Sequence, residues 1–141
     1  MIQRDYIVRM TELLARALTK ILMLKEQSQF DKALDEIDLA GKELLGSDFQ
    51  VLKHLSDTDL IKWMYSDGNF DSSKCNSMTQ LLKAEGEILE AKGLFQQSRI
   101  RYLQAWHLLT EAAMQNENQH NEETRNMLAW LTDKAINGRM N

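Results

Sequence analysis

Apolar positions along this chain recur three and four residues apart, and no segment shows sustained period-two alternation bounded by turns. Between residues 3 and 27, Tyr6, Ile7, Met10, Leu13, Leu14, Ala17, Leu18, Ile21 and Leu24 share one broad face. Asp5, Arg9, Glu12, Arg16 and Lys20 line the opposite face, with Asp5/Arg9 and Glu12/Arg16 spaced for i,i+4 pairing. This predicts one long helix whose charges form a solvated face rather than a basic docking patch. Val8 and Leu22 fall outside the main stripe and suggest contact on more than one side.

"EQSQ" interrupts that pattern, and a second helix is expected from Phe30 to Leu45, with Ala33, Leu34, Ile37, Ala40, Gly41 and Leu44 as its stripe and Gly46 as its stop. A short helical piece follows from Asp48 to Leu55. Ser56 is placed to cap a further helix carrying Leu60, Ile61, Trp63 and Met64, with Asp59 completing a variant of the capping box. "SDGNFDSSKCNS", residues 66–77, reads as a polar loop and a linker rather than a recognition loop. Helical patterns resume over 78–92 and 95–115. "NENQHNEE" separates them from a last helix, 122–136, whose Met127, Leu128, Leu131 and Ala135 share one side.

The expected fold is therefore all-α with about six to seven helices in one domain, 1–141. It comprises a hairpin at 3–45, degenerate helices at 47–65, the loop at 66–77, a second hairpin at 78–115 and a capping helix at 122–136. Within the second hairpin, Gly93 is placed to end one helix and let the next turn back. Phe95, Ser98, Tyr102, Ala105, Trp106, Leu109 and Ala113 fall on one face of that next helix. Ser98 and Ala105 would permit close approach while Phe95, Tyr102 and Trp106 fill the volume around them. Gly86 would admit a neighbour at short range, at a cost of roughly 1 kcal/mol in helix propensity.

A fainter copy lies 65 positions earlier: Leu24 stands for Leu89, Ser28 for Gly93, Phe30 for Phe95, Ala33 for Ser98, Ile37 for Tyr102 and Ala40 for Ala105. Large and small residues recurring at a fixed offset suit stacked helical pairs, because one pair cannot bury its apolar face alone. The pattern resembles the tetratricopeptide repeat (TPR), well over 79–110 and weakly over 14–45, where Phe30, Ala33 and Ala40 alone keep it. The offset is about twice the usual repeat length, leaving room for a degenerate pair around 47–65. The resemblance implies a right-handed superhelical stack whose concave surface is lined by the first helix of each pair. That lining would comprise Ala15, Leu18, Leu22 and Lys25 in one pair and Gln80, Lys83, Glu87 and Glu90 in the other. The opening "IQRDYIVRM" is also similar to the start of a family of small bacterial proteins of uncharacterised function.

Composition narrows the partners. A net charge of −4 without a basic block argues against nucleic acid. The apolar run "ILML" is too short to span a membrane, and "MIQRDYIVRM" has no signal-peptide core. The lone Cys75 cannot form an internal disulfide, which suits a reducing cytoplasm. The absence of proline leaves long helices unobstructed, and eight methionines suit gap-filling between them.

Chemistry-bearing motifs are sparse. His54, His107 and His120 show no metal-ligand spacing on one helix, and the single Glu-x-x-His, Glu117 to His120, lies in a polar connection. Cys75 lacks a neighbouring base and reads as a free, inert thiol. Glu85, Glu87 and Glu90 read as solvated helix carboxylates. No glycine-rich phosphate loop or nucleophile elbow occurs. No catalytic, cofactor or metal residue is assigned, and no enzyme activity is expected. The leading expectation is a protein-interaction module whose groove takes a protein or peptide such as an amphipathic helix, unless the chain's own last helix fills it. The alternatives are a homodimer through Trp63, Tyr65 and Trp130, and a helical ligand or metal carrier.

Overall fold

The computed structural model describes residues 2–115 and 121–138, and over these the chain is all-α with seven α-helices. At two points a long helix stops on a left-handed residue and the chain folds back. Helix α1, Ile2–Glu26, ends at Ser28 (φ 59°), and α2, Phe30–Leu45, follows at once. Helix α5, Ser72–Ala91, ends at Gly93 (φ 81°), and α6, Phe95–Gln115, follows in the same way.

The two turns match bond for bond. Ser28 N–H donates to the Lys25 carbonyl and Gln29 N–H to that of Leu24, at 2.9 and 2.8 Å. Sixty-five residues later, Gly93 N–H donates to Glu90 and Leu94 N–H to Leu89, both at 2.9 Å. Both are Schellman caps, in which the left-handed residue lets orphan carbonyls of the last turn find donors. The echo in side-chain pattern is thus an echo in backbone conformation. Ser28 adopts for its own turn what glycine adopts freely, at a steric cost.

Behind the turns, the equivalent positions are buried in pairs: Leu24 and Leu89, Ala33 and Ser98, Ile37 and Tyr102, Ala40 and Ala105. The aromatic pair departs from this. Phe30 is half-buried against the core, but Phe95 is 43% exposed and fills no interhelical volume, contrary to the sequence expectation. It stands one residue beyond the turn, where α6 has not yet come under cover.

Helices α5 and α6 run antiparallel at close range. Ser98 Oγ donates to the Gly86 carbonyl at 2.6 Å, and the Cys75 thiol reaches the Leu108 carbonyl at 3.4 Å. A Cβ on Gly86 would lie 2.6 Å from the ring of Tyr102, so glycine is required there for space. Helix α5 packs against α6, α2 and α1 and buries eleven of its residues, including Met78, Leu81, Leu82 and Ile88. Each large apolar side chain so buried contributes about 1.5–3 kcal/mol.

Between the hairpins lie two short helices, α3 (Phe49–Leu52) and α4 (Asp57–Trp63). Asp48 caps α3, which stops short of the expected Leu55. Ser56 Oγ accepts from Asp59 N–H at 3.1 Å, as the capping pattern predicts. Phe49 sits where a side chain on Gly41 would have to go, its Cβ 2.7 Å from the missing one.

The expected polar loop at 66–77 is corrected in two ways. Strands β1 (Tyr65–Ser66) and β2 (Asn69–Phe70) form a minimal antiparallel ribbon around Asp67 and Gly68, both at positive φ. An Asp-Gly pair provides the left-handed conformations that such a two-residue turn requires. Asp71 then caps α5 by accepting from Lys74 N–H at 3.0 Å, so the helix begins six residues before Met78. A run of Ser, Lys and Asn is polar, yet capped and with Cys75 and Ser77 buried it is helical. The i,i+4 pairs expected along α1 also do not form. Lys20 instead bridges to Glu36 of α2 at 2.9 Å.

Helix α7, Glu122–Leu131, is capped by Asn121 and continues as a π-helical turn, Thr132–Ile136, in which Asn137 N–H donates to the Thr132 carbonyl. It packs on α6.

The matched turns generate a reciprocal prediction. Ser28→Gly stabilises the protein by about 0.5–1 kcal/mol and Gly93→Ser destabilises it by about 1–2 kcal/mol, since a side chain at Gly93 meets nothing and only the backbone term changes. Urea denaturation checks both signs.

Candidate functional site

Helices α1 and α5 are the first members of the two hairpins, and a groove of about 230 Å³ opens between them. Its lining contains Leu18, Leu22 and Lys25 from α1 and Gln80, Lys83 and Glu87 from α5, over a floor of Ile21, Ala84 and Ile88. Six of the eight positions expected from the TPR resemblance therefore face one depression. Glu90 lies in an adjoining one that shares Lys25 and Glu87 and adds Tyr102, Trp130 and Lys134. Ala15 is exposed on α1 and belongs to neither.

The two walls differ in chemistry. On α1, Leu22 is 51% exposed, and its position off the main stripe turns it into the groove rather than into the core. On α5 the wall is polar. Lys83 pairs with Glu87 at 3.1 Å along the helix, and Lys83 Nζ also lies 4.6 Å from the ring centre of Trp130. Glu90 accepts from Lys134 Nζ at 2.8 Å and from the Tyr102 hydroxyl at 2.7 Å. Burial, reinforced by that carboxylate, pushes the Tyr102 hydroxyl far above its ordinary pKa, so it stays protonated and donates.

The C-terminal helix thus borders one end of the groove. Trp130 stacks edge-on to Tyr102 at 5.2 Å, and Leu131 and Ala135 are buried. It occupies the surroundings of Glu90 but leaves Leu18 and Leu22 uncovered, so the expectation that it fills the groove holds for one end alone.

Glu85 corrects the expectation of three solvated carboxylates. It is 2% exposed, on a different face of α5, and pairs with Lys53 Nζ at 3.1 Å and with Arg101 Nε at 3.5 Å. Arg101 and Gln104 of α6 both donate to the Lys53 carbonyl, at 3.1 and 2.6 Å. Burial lowers the Arg101 pKa, and Glu85 opposes that shift. The cluster ties the turn after α3 to α5 and α6. Its members lie 32 to 51 residues from Lys53 in the chain, so no local spacing announces it.

The remaining candidates are dispersed. Cys75 lies in α5 rather than in a loop, and burial pushes its thiol up to about 12, which keeps it protonated at neutral pH. His54 Nδ1 lies 2.6 Å from the Gln50 carbonyl, and His107 Nε2 is 3.5 Å from Asp57. Glu117 and His120 fall outside the described residues. Among the described residues no group of three or more His, Cys, Asp or Glu is placed to hold a metal ion. No described helix is long and apolar enough to cross a membrane.

The aromatics considered for a homodimer contact pack within their own chain. Lys74 Nζ sits 4.2 Å from the Trp63 ring centre, Tyr65 donates to Glu111 at 2.7 Å, and Trp130 meets Tyr102. Comparison of the chain with protein-family models, with curated proteins and with solved structures finds no match.

Two outcomes follow. Glu85→Ala leaves Lys53 and Arg101 facing each other without their carboxylate and lowers stability by about 3 kcal/mol in denaturant titration. Cys75 resists Ellman's reagent at pH 8 in the native protein and reacts at once in 6 M guanidinium chloride.

Proposed function

We propose that this chain is a non-enzymatic, TPR-like interaction module of the cytoplasm that receives an amphipathic helix of another protein in the groove between α1 and α5. One observation carries the reading: an open groove with an exposed leucine wall on one side and a charged wall on the other. An amphipathic helix presents the same two faces, apolar toward Leu18 and Leu22 and polar toward Gln80, Lys83 and Glu87. The far end of the groove already has a neighbour of this kind, because α7 lays Trp130 beside Lys83 and Tyr102. Lys25, at the junction of the two depressions, suits a carboxylate on the incoming helix.

A photoreactive benzoylphenylalanine at position 22, irradiated in lysate of the native cells, gives a discrete adduct with one other polypeptide. The same probe at Val51, which is 61% exposed and does not line the groove, gives none. Adding Leu18→Asp to the position-22 probe lowers the adduct yield about tenfold, the loss expected from one buried leucine contact. Equal labelling from both sites, or none from position 22, overturns the reading. An adduct with a second copy of the chain supports self-assembly instead.

A further inference from the structure

We infer that residues 122–136 form a releasable cover over the Glu90 end of the groove, opening as a unit while α1, α2, α5 and α6 stay folded. The inference rests on the groove reading for its consequence but not for its test. Three features carry it.

The first is how little the segment buries. Leu131 and Ala135 are its buried residues, whereas α5 buries eleven. Met127, Leu128 and Trp130 are only partly covered. Local opening is cheapest where few apolar contacts are lost.

The second is that polar clamps along the cover hold it down. Lys134 bonds both oxygens of Glu90, at 2.8 and 3.2 Å. Trp106 Nε1 donates to Thr132 Oγ1 at 3.0 Å. Arg99 Nε donates to the Ala135 carbonyl at 2.8 Å, at the π-helical turn. Each clamp exchanges for water on release, so its net contribution is small.

The third is what lies beneath. The cover meets Tyr102, Glu90 and Lys83, and the depression there is continuous with the groove through Lys25 and Glu87. Release of the segment lengthens the groove toward α6 and frees Lys83 from Trp130. A helix seated against Leu18 and Leu22 and extending past Lys25 would compete with the cover for this surface. The cover therefore acts as an internal competitor that raises the threshold for binding.

Native-state hydrogen exchange on the full chain tests the opening without any partner. Amides of residues 125–135 exchange about ten times or more faster than those of 81–89, and with weak dependence on sub-denaturing urea, as a local opening requires. Lys134→Ala raises the exchange of 125–135 by a further three- to tenfold or so, consistent with loss of a partly buried charge pair. The separate urea dependence of the two segments persists in that variant. If both segments exchange at one rate with one urea dependence in wild type and variant alike, there is no cover. That failure leaves the crosslinking from position 22 untouched, and absence of crosslinking leaves the exchange result untouched.

Discussion

The ring of Tyr102 occupies the space that a side chain on Gly86 would need, and the close approach of α5 and α6 depends on that contact. With the ring in place, α6 comes close enough for Ser98 to reach the Gly86 carbonyl, and the Tyr102 hydroxyl arrives at Glu90. Glu90 in turn holds Lys134, and the edge of the same ring supports Trp130. One glycine thus sets the hairpin spacing, the seat of the C-terminal helix and the closed end of the groove. The helix-propensity cost of that glycine, about 1 kcal/mol, is offset by burial of the whole tyrosine.

The two hairpins share turn geometry but differ in what they face. Leu81, Glu85 and Ile88 of α5 are buried, while their counterparts 65 residues earlier in α1 are Arg16, Lys20 and Met23, all exposed. Helix α5 is covered on several sides, whereas α1 shows a charged outer flank to solvent. The first hairpin also replaces the glycine–tyrosine pair by Ile21 and Ile37, both buried, which fill the equivalent volume from both sides instead of from one.

Polar groups divide by role along α5. Glu85 is enclosed with Lys53 and Arg101, where an unpaired charge would be costly and each charge has a partner. Glu87 and Glu90 lie on the groove side: Glu87 is partly open to water beside Lys83, while Glu90 is largely covered by Lys134 and Tyr102. Cys75, buried with its thiol bonded to the Leu108 carbonyl, belongs to the packing between α5 and α6.

Helix positions, both turns and the Ser56 cap were legible in the sequence because they follow from local forces: the 3.6-residue period, left-handed turn residues and side-chain caps. The Asp67–Gly68 ribbon and the Asp71 cap also carried local signals, but the polarity of residues 66–77 masked them. The TPR resemblance named Leu18, Leu22, Lys25, Gln80, Lys83 and Glu87 together, and these six do line one depression between α1 and α5. The surroundings of Glu85, the exposure of Phe95 and the reach of the C-terminal helix were decided by the tertiary structure alone. They depend on which helix lies next to which, and contacts between residues tens of positions apart leave no periodic trace in either partner's own segment.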